Sequence, residues 1–286
     1  MKKKALVLSM AAIMALTLAA CGGNKAAETT AAETKASEAK DEKAEETKAE
    51  AAETEETKEE KKEAAGGVLT MGTNAEFPPY EFREGGEIVG IDVEIMQAVA
   101  EELGMELKIE DMAFDSIFPA VASGKVDVGA GGITVTEERK MSMDFSDTYA
   151  KASQKVIVKE GSDITSPDGL KGKVIGVQLG TTGDLYCSDL EKEDSKVERY
   201  SKGFEAVQAL LQDKVDAVVI DSEPAKVFIE QSEGLKILDE SFTDEDYALV
   251  IKKGNTELVD KVNAALAKLK ESGELDEIVA KYIKAE

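Results

Sequence analysis

Hydrophobic and polar positions follow two rhythms beyond Val68. The run "VLTMGT" is apolar and predicts a strand, whereas "GIDVEIMQAVAEELG" sets Ile91, Ile95, Met96, Val99 and Leu103 at helical spacing before a glycine stop. The pattern continues through strand "ELKIED", short helix "FDSIFPAVASG", strand "KVDVGAG", strand "KVIGVQ", helix "DLYCSDLEKE" and helix "GFEAVQALLQ". Strand "KVDAVVID", helix "EPAKVFIEQS" and strand "YALVIKK" follow, and helices "NTELVDKVNAALAKLKESG" and "LDEIVAKYI" come last. Strands alternating with helices predict an α/β class with largely parallel sheets.

Two segments, "FPAVASGKVDVGAGGI" and "VQALLQDKVDAVVIDSE", share one plan: helix, Lys-Val-Asp beginning at Lys125 or Lys214, buried strand, polar loop. Either this is the helix–turn–strand unit common to α/β proteins, or the chain holds two similar lobes. In the second case each lobe offers a strand-end loop to a shared cleft, where open α/β sheets bind ligands.

Before Val68 the rhythm is lost. "MKKK" is a basic start, "ALVLSMAAIMALTL" is apolar but too short for a stable membrane span, and "LAAC" ends at Cys21. This predicts an export signal over 1–20. Leu18-Ala19-Ala20-Cys21 resembles the bacterial lipoprotein box, which implies cleavage before Cys21 and acylation of its thiol; an ordinary cleavage site beside a chance cysteine is the alternative. The stretch 21–66 is Ala, Glu, Lys and Thr with no aromatic residue, so it cannot bury enough apolar surface to fold alone. As a flexible coil of about 44 residues it would reach roughly 35–40 Å. As a solvated helix braced by Glu–Lys pairs it would still be a spacer.

Charge and composition narrow the chemistry. The 286 residues carry a formal net charge of −24 and include no His, no Trp and two Cys. Without His there is no imidazole base, no His-activated nucleophile and no His metal site. The acidity disfavours nucleic acid, whose phosphates require basic surfaces. Cys21 and Cys187 cannot make a zinc knuckle, and Cys187 is expected to be a structural thiol. The "GAGGIT" run lacks the third glycine of a dinucleotide loop. No cofactor is expected.

Arginine is scarce, occurring only as Arg83, Arg139 and Arg199. Arg139 follows "GAGGITVTEE" and offers a donor fork suited to a carboxylate; alternatively it pairs on the surface with Glu137, Glu138 or Asp144. Bare backbone at Gly131–Gly132 and the Thr134 hydroxyl and N–H suit either a carboxylate or an ammonium. "GTTGDLY" opens a helix whose free N–H groups form an anion site. Asp221, after the second Lys-Val-Asp strand, either takes an ammonium or caps the next helix. Carboxylate and ammonium at fixed separation describe an α-amino acid. Phe77 and Phe114 can sandwich its side chain or belong to the core.

At these residues the sequence resembles the solute-binding proteins of polar amino-acid ABC importers. The matching pieces are "GTNAEFPPYEF", "GIDVEIMQAVAEELG", "AFDSIFPAVASGKVDVGAGGITVTEERKMSMDFS", "GVQLGTTGD" and "VDAVVIDSEPA", in family order across 68–286. The resemblance implies an α/β, two-lobed periplasmic-binding-protein-like fold (type II) over 67–286. Lobe 1 would comprise 67–150 and 248–286, lobe 2 would comprise 151–247, and the connections near "YAKAS" and "DEDYA" would hinge. It implies Gly132, Thr134 and Arg139 as carboxylate and ammonium contacts, a Thr182 N–H to the carboxylate, Asp221 on the ammonium, and Phe77 and Phe114 stacked on the side chain.

Asn74 stands where several relatives carry an acid, and Gln178 holds the other position facing the side chain. Two amides suggest a polar, uncharged amino acid, while Glu76 nearby would restore a preference for Arg or Lys. The resemblance implies a monomeric, non-enzymatic receptor on the outer face of the bacterial cytoplasmic membrane, held there through Cys21. It would deliver its ligand to permease subunits driven by a separate ATPase. A dehydratase-like enzyme on the same fold would need an acid/base pair, for which Glu76 with Lys151 is the one combination on offer. A sensor head would need an output module.

Overall fold

The computed structural model describes residues 66–284; the export signal, Cys21 and the tether through residue 65 lie outside them. The chain runs β1 (Val68–Thr73), β2 (Glu76–Phe77), β3 (Glu81–Glu84), β4 (Glu87–Val89), α1 (Ile91–Glu102), β5 (Glu106–Asp111), α2 (Phe114–Ser123) and β6 (Val128–Gly129). It continues through α3 (Glu137–Ser142), β7 (Met143–Phe145), β8 (Ala150–Lys159), β9 (Val174–Gln178), α4 (Thr182–Leu190), β10 (Lys196–Tyr200) and α5 (Gly203–Leu211). Then come β11 (Ala217–Asp221), α6 (Ser222–Glu230), β12 (Leu235–Ile237), β13 (Thr243–Tyr247), β14 (Val250–Lys252), α7 (Thr256–Ser272) and α8 (Glu274–Tyr282).

These strands form two main sheets. One has the order β5-β1-β6-β14-β7; the other has β10-β9-β11-β8-β12, with β13 also paired to β8. Short β2, β3 and β4 make a separate three-stranded sheet. The sheets are mixed, which corrects the expectation of largely parallel ones. Pairs made through helical crossovers, such as β1 with β5 and β6, and β9 with β10 and β11, are parallel. Every pair made by β8 or β14 is antiparallel. Segments β8 and β13 contain the two connections expected to hinge. They lie side by side, with Ala150 opposite Tyr247 and Gln154 opposite Thr243.

Period-two alternation sets both faces of the second sheet. Val218 and Ile220 pack with Val207 and Leu210 of α5 and Phe228 of α6. Ala217 and Val219 turn the other way, toward Cys187 of α4 and Ile175 and Val177 of β9. In the first sheet Leu69 and Met71 join Ile95 and Val99 of α1 and Leu266 and Leu269 of α7, while α2 contributes Ile117 and Val121 beside Val250. Each such large aliphatic side chain contributes about 1.5–3 kcal/mol when fully buried. Cys187 is a buried free thiol, pushed up to about 12 by burial, in keeping with a structural role. The functional consequence lies at the strand ends. Asn74 follows β1, Gly131–Gly132 follow β6, and Gln178 and Asp221 close β9 and β11.

Candidate functional site

These strand ends meet around one small cavity of about 10 Å³. Its walls include all nine positions picked from the sequence: Asn74, Phe77, Phe114, Gly132, Thr134, Arg139, Gln178, Thr182 and Asp221. Glu81, Gly131 and Thr181 complete the lining.

Arg139 is buried on α3, with Thr136 as the N-cap whose hydroxyl accepts from the Arg139 N–H. Its guanidinium donates to Thr134 O at 2.7 Å and, across the cleft, to Gly180 O at 3.0 Å. The carbon of that guanidinium lies 4.9 Å from the Phe118 ring centroid and 5.8 Å from that of Phe114. The surface alternative does not hold: Glu137 pairs with Lys140 and Asp144 with Lys253. Burial lowers the Arg139 pKa, yet nearby Glu245 and Asp221 favour its charge.

Gly132 adopts a φ of 56°, and a Cβ there would lie 2.8 Å from the Phe77 ring. Its N–H donates to Asp92 Oδ2 at 2.9 Å, and Tyr149 OH donates to the same oxygen at 2.8 Å. Burial raises Asp92 to about 6 despite those donors. The loop that presents backbone to the cavity is therefore fastened from behind by a carboxylate.

Asp221 sits at the N-cap position of α6 without making the side-chain cap bond. Its carboxylate instead accepts from Tyr247 OH. Burial, then the charge of Glu245, raises it to about 7. Beside it, Glu245 Oε2 accepts from Thr134 Oγ1 at 2.9 Å and from Gln154 Nε2 at 3.0 Å. Gln154 also donates to Thr182 Oγ1 at 3.2 Å, so Thr134 and Thr182 of the cavity wall are tied through the paired strands β8 and β13.

The sequence does not single out Glu81. It is fully buried, and neither carboxylate oxygen has a hydrogen-bond partner. Burial, then the charges of Asp92 and Asp221, holds it well above the ordinary carboxylate range. A Cβ on Gly131 would lie 3.3 Å from Glu81 Oε1, which places this carboxylate against the glycine loop. By contrast Glu76 pairs with Lys202 at 2.5 Å and does not line the cavity. Lys151 is exposed and pairs with Asp246, so the Glu76–Lys151 acid/base combination is not assembled. Four buried carboxylates, Glu81, Asp92, Asp221 and Glu245, thus lie in or behind the cavity wall, and Glu245 and Asp221 are near the buried Arg139 guanidinium.

Known proteins are similar to this chain in sequence and fold. Residues 69–285 fit the family model described as bacterial extracellular solute-binding proteins, family 3. The arginine-binding extracellular protein ArtP of Bacillus subtilis (strain 168) is 35% identical over 221 residues, covering 76% of this chain and 87% of that one. A solved ancestral arginine-binding protein bound to arginine superposes with a TM-score of 0.73 at 41% identity, covering 77% of this chain and 99% of its own. An ancestral arginine-binding protein bound to glutamine gives 0.72 at 41%, covering 76% and 98%.

Proposed function

We propose a ligand for a chain that belongs to the bacterial extracellular solute-binding proteins, family 3: a cationic α-amino acid, arginine or lysine, handed to the permease of an ABC importer. The fold is the two-lobed periplasmic-binding-protein-like type II. Several relatives carry arginine in their names, including the Bacillus subtilis protein.

The ligand's carboxylate lies between Arg139 and the Thr182 N–H at the start of α4, and its ammonium meets Asp221. The observation that carries the choice of side chain is Glu81, buried in the cavity wall with both oxygens unpartnered. A guanidinium or ammonium there supplies the missing donors and charge, between the rings of Phe77 and Phe114. Arginine, with five donors on a planar group, satisfies a two-oxygen acceptor more fully than lysine does.

A polar, uncharged ligand such as glutamine is the second reading, favoured by Asn74 and Gln178 in the same wall. Calorimetry across the twenty amino acids decides between them. Tightest binding to arginine or lysine is expected, and tightest binding to glutamate or aspartate would overturn both. Cys21 is the membrane anchor in this reading, so Cys21→Ala releases the protein from the membrane; retention with normal cleavage of the signal would contradict it.

A further inference from the structure

The turn that meets the ligand carboxylate carries a charge of the wrong sign. Asp184 lies in the first turn of α4, two residues after Thr182, and is buried. An acid there suits the helix dipole, but it competes with an anionic ligand for the same positive end.

The structure answers that conflict from outside the cavity. Asp184 Oδ2 accepts from the Gly180 N–H at 3.0 Å, while Thr181 Oγ1 accepts from the Asp184 N–H at 3.3 Å, a reciprocal cap over the turn. The other oxygen, Oδ1, accepts from Arg199 Nε at 2.7 Å. Arg199 reaches over from β10 and also donates to Ser188 Oγ at 2.8 Å, and Ser188 Oγ in turn donates to Asp184 O at 2.7 Å. Gly180, held at its N–H by Asp184, offers its carbonyl to Arg139 across the cleft. A chain of contacts therefore runs Arg199–Asp184–Gly180–Arg139. Neither Arg199 nor Asp184 lines the cavity.

We infer that Arg199 and Asp184 are a positioning pair for the α-carboxylate subsite. Arg199 cancels the Asp184 charge beside the subsite, and Asp184 fixes Gly180 so that its carbonyl orients Arg139. This rests on the reading above that an amino-acid carboxylate lies between Arg139 and Thr182.

The test titrates L-arginine and L-glutamine, with their carboxamides L-argininamide and L-glutaminamide, into the full chain and its variants. The carboxamides keep the ammonium and side chain but lose the negative charge. Arg199→Ala should weaken the amino acids about tenfold and the carboxamides less than about threefold, because an unpaired Asp184 repels only the carboxylate. Asp184→Asn/Arg199→Ala should regain most of that loss. Asp184→Asn alone, which keeps an acceptor for Gly180, should bind the amino acids at least as tightly as wild type. That single variant carries the test if Arg199→Ala does not fold.

Unchanged amino-acid affinity in Arg199→Ala would overturn the inference and leave the parent reading intact. So would equal losses for amino acids and carboxamides, or a double variant no better than the single one. A wild-type protein that binds neither amino acid would overturn both.

Discussion

Asn74 and Gln178 meet across the cleft, Gln178 Nε2 donating to Asn74 Oδ1 at 3.0 Å while Asn74 Nδ2 donates to Met112 O at 2.9 Å. Each amide spends hydrogen-bonding capacity on protein partners, so the pair works first as a clasp between the ends of β1 and β9. Asn74→Ala should therefore weaken arginine and glutamine alike, by about 1 kcal/mol for one lost hydrogen bond. Isothermal titration of both ligands checks this. A loss confined to glutamine would make Asn74 a contact for a neutral side chain instead.

Arg139 holds two carbonyls, Thr134 O and Gly180 O, and keeps further N–H donors for a carboxylate. Arg139→Ala should cost about 2–5 kcal/mol of ligand binding, the range for removing one partner of a buried charge pair. Arg139→Lys should not restore it, because a single ammonium cannot serve three acceptors in one plane. Thermal-shift titration measures the binding and circular dichroism checks the fold. Affinity within a few-fold of wild type in either folded variant would remove Arg139 from the site.

Nine of the twelve lining positions are named from the sequence, several of them only through the motifs that carry the family resemblance, and the helices α1, α5 and α7 are legible from their apolar spacing. Other residues in and behind the cavity wall are not. Glu81 lies on the short strand β3, where a four-residue "EFRE" carries no pattern to mark its first acid as buried. Glu245 and Tyr247 are buried on β13 while Asp244 and Asp246 are exposed, an alternation hidden in "TDEDY" because acids occupy both faces. Gln154 gains its meaning from a partner 91 residues away. The antiparallel pairings of β8 and β14 are long-range in the same way, and only βα units announce their pairing locally.

Asp221 gives the site a pH dependence of definite sign. Its folded pKa of about 7 stands above the ordinary 3.8, so the fold keeps a proton that the unfolded chain has lost. The associated stability is fully present below pH 3.8 and is lost as pH rises through 7. Asp92, raised to about 6, adds the same sign over the lower part of that window. The ligand-free protein should melt at progressively lower temperature between these limits, and Asp221→Asn should flatten the upper part. A ligand ammonium requires the carboxylate form, so arginine should bind more tightly as pH rises from 5 to 8, with proton release below 7. Titrations in buffers of different ionisation enthalpy count the protons. Affinity that falls across that range would contradict the assignment of Asp221 to the ammonium.

The most direct measurement concerns Glu81, the buried carboxylate with no hydrogen-bond partner among the described residues. L-arginine and L-glutamine are titrated calorimetrically into the wild type and Glu81→Gln, a change that removes charge but keeps shape. Arginine should bind the wild type at least about tenfold more tightly than glutamine. The substitution should cost arginine about 2–5 kcal/mol and leave glutamine within a few-fold. Glutamine binding the wild type more tightly than arginine, or arginine binding both proteins equally, would contradict a cationic ligand side chain at Glu81.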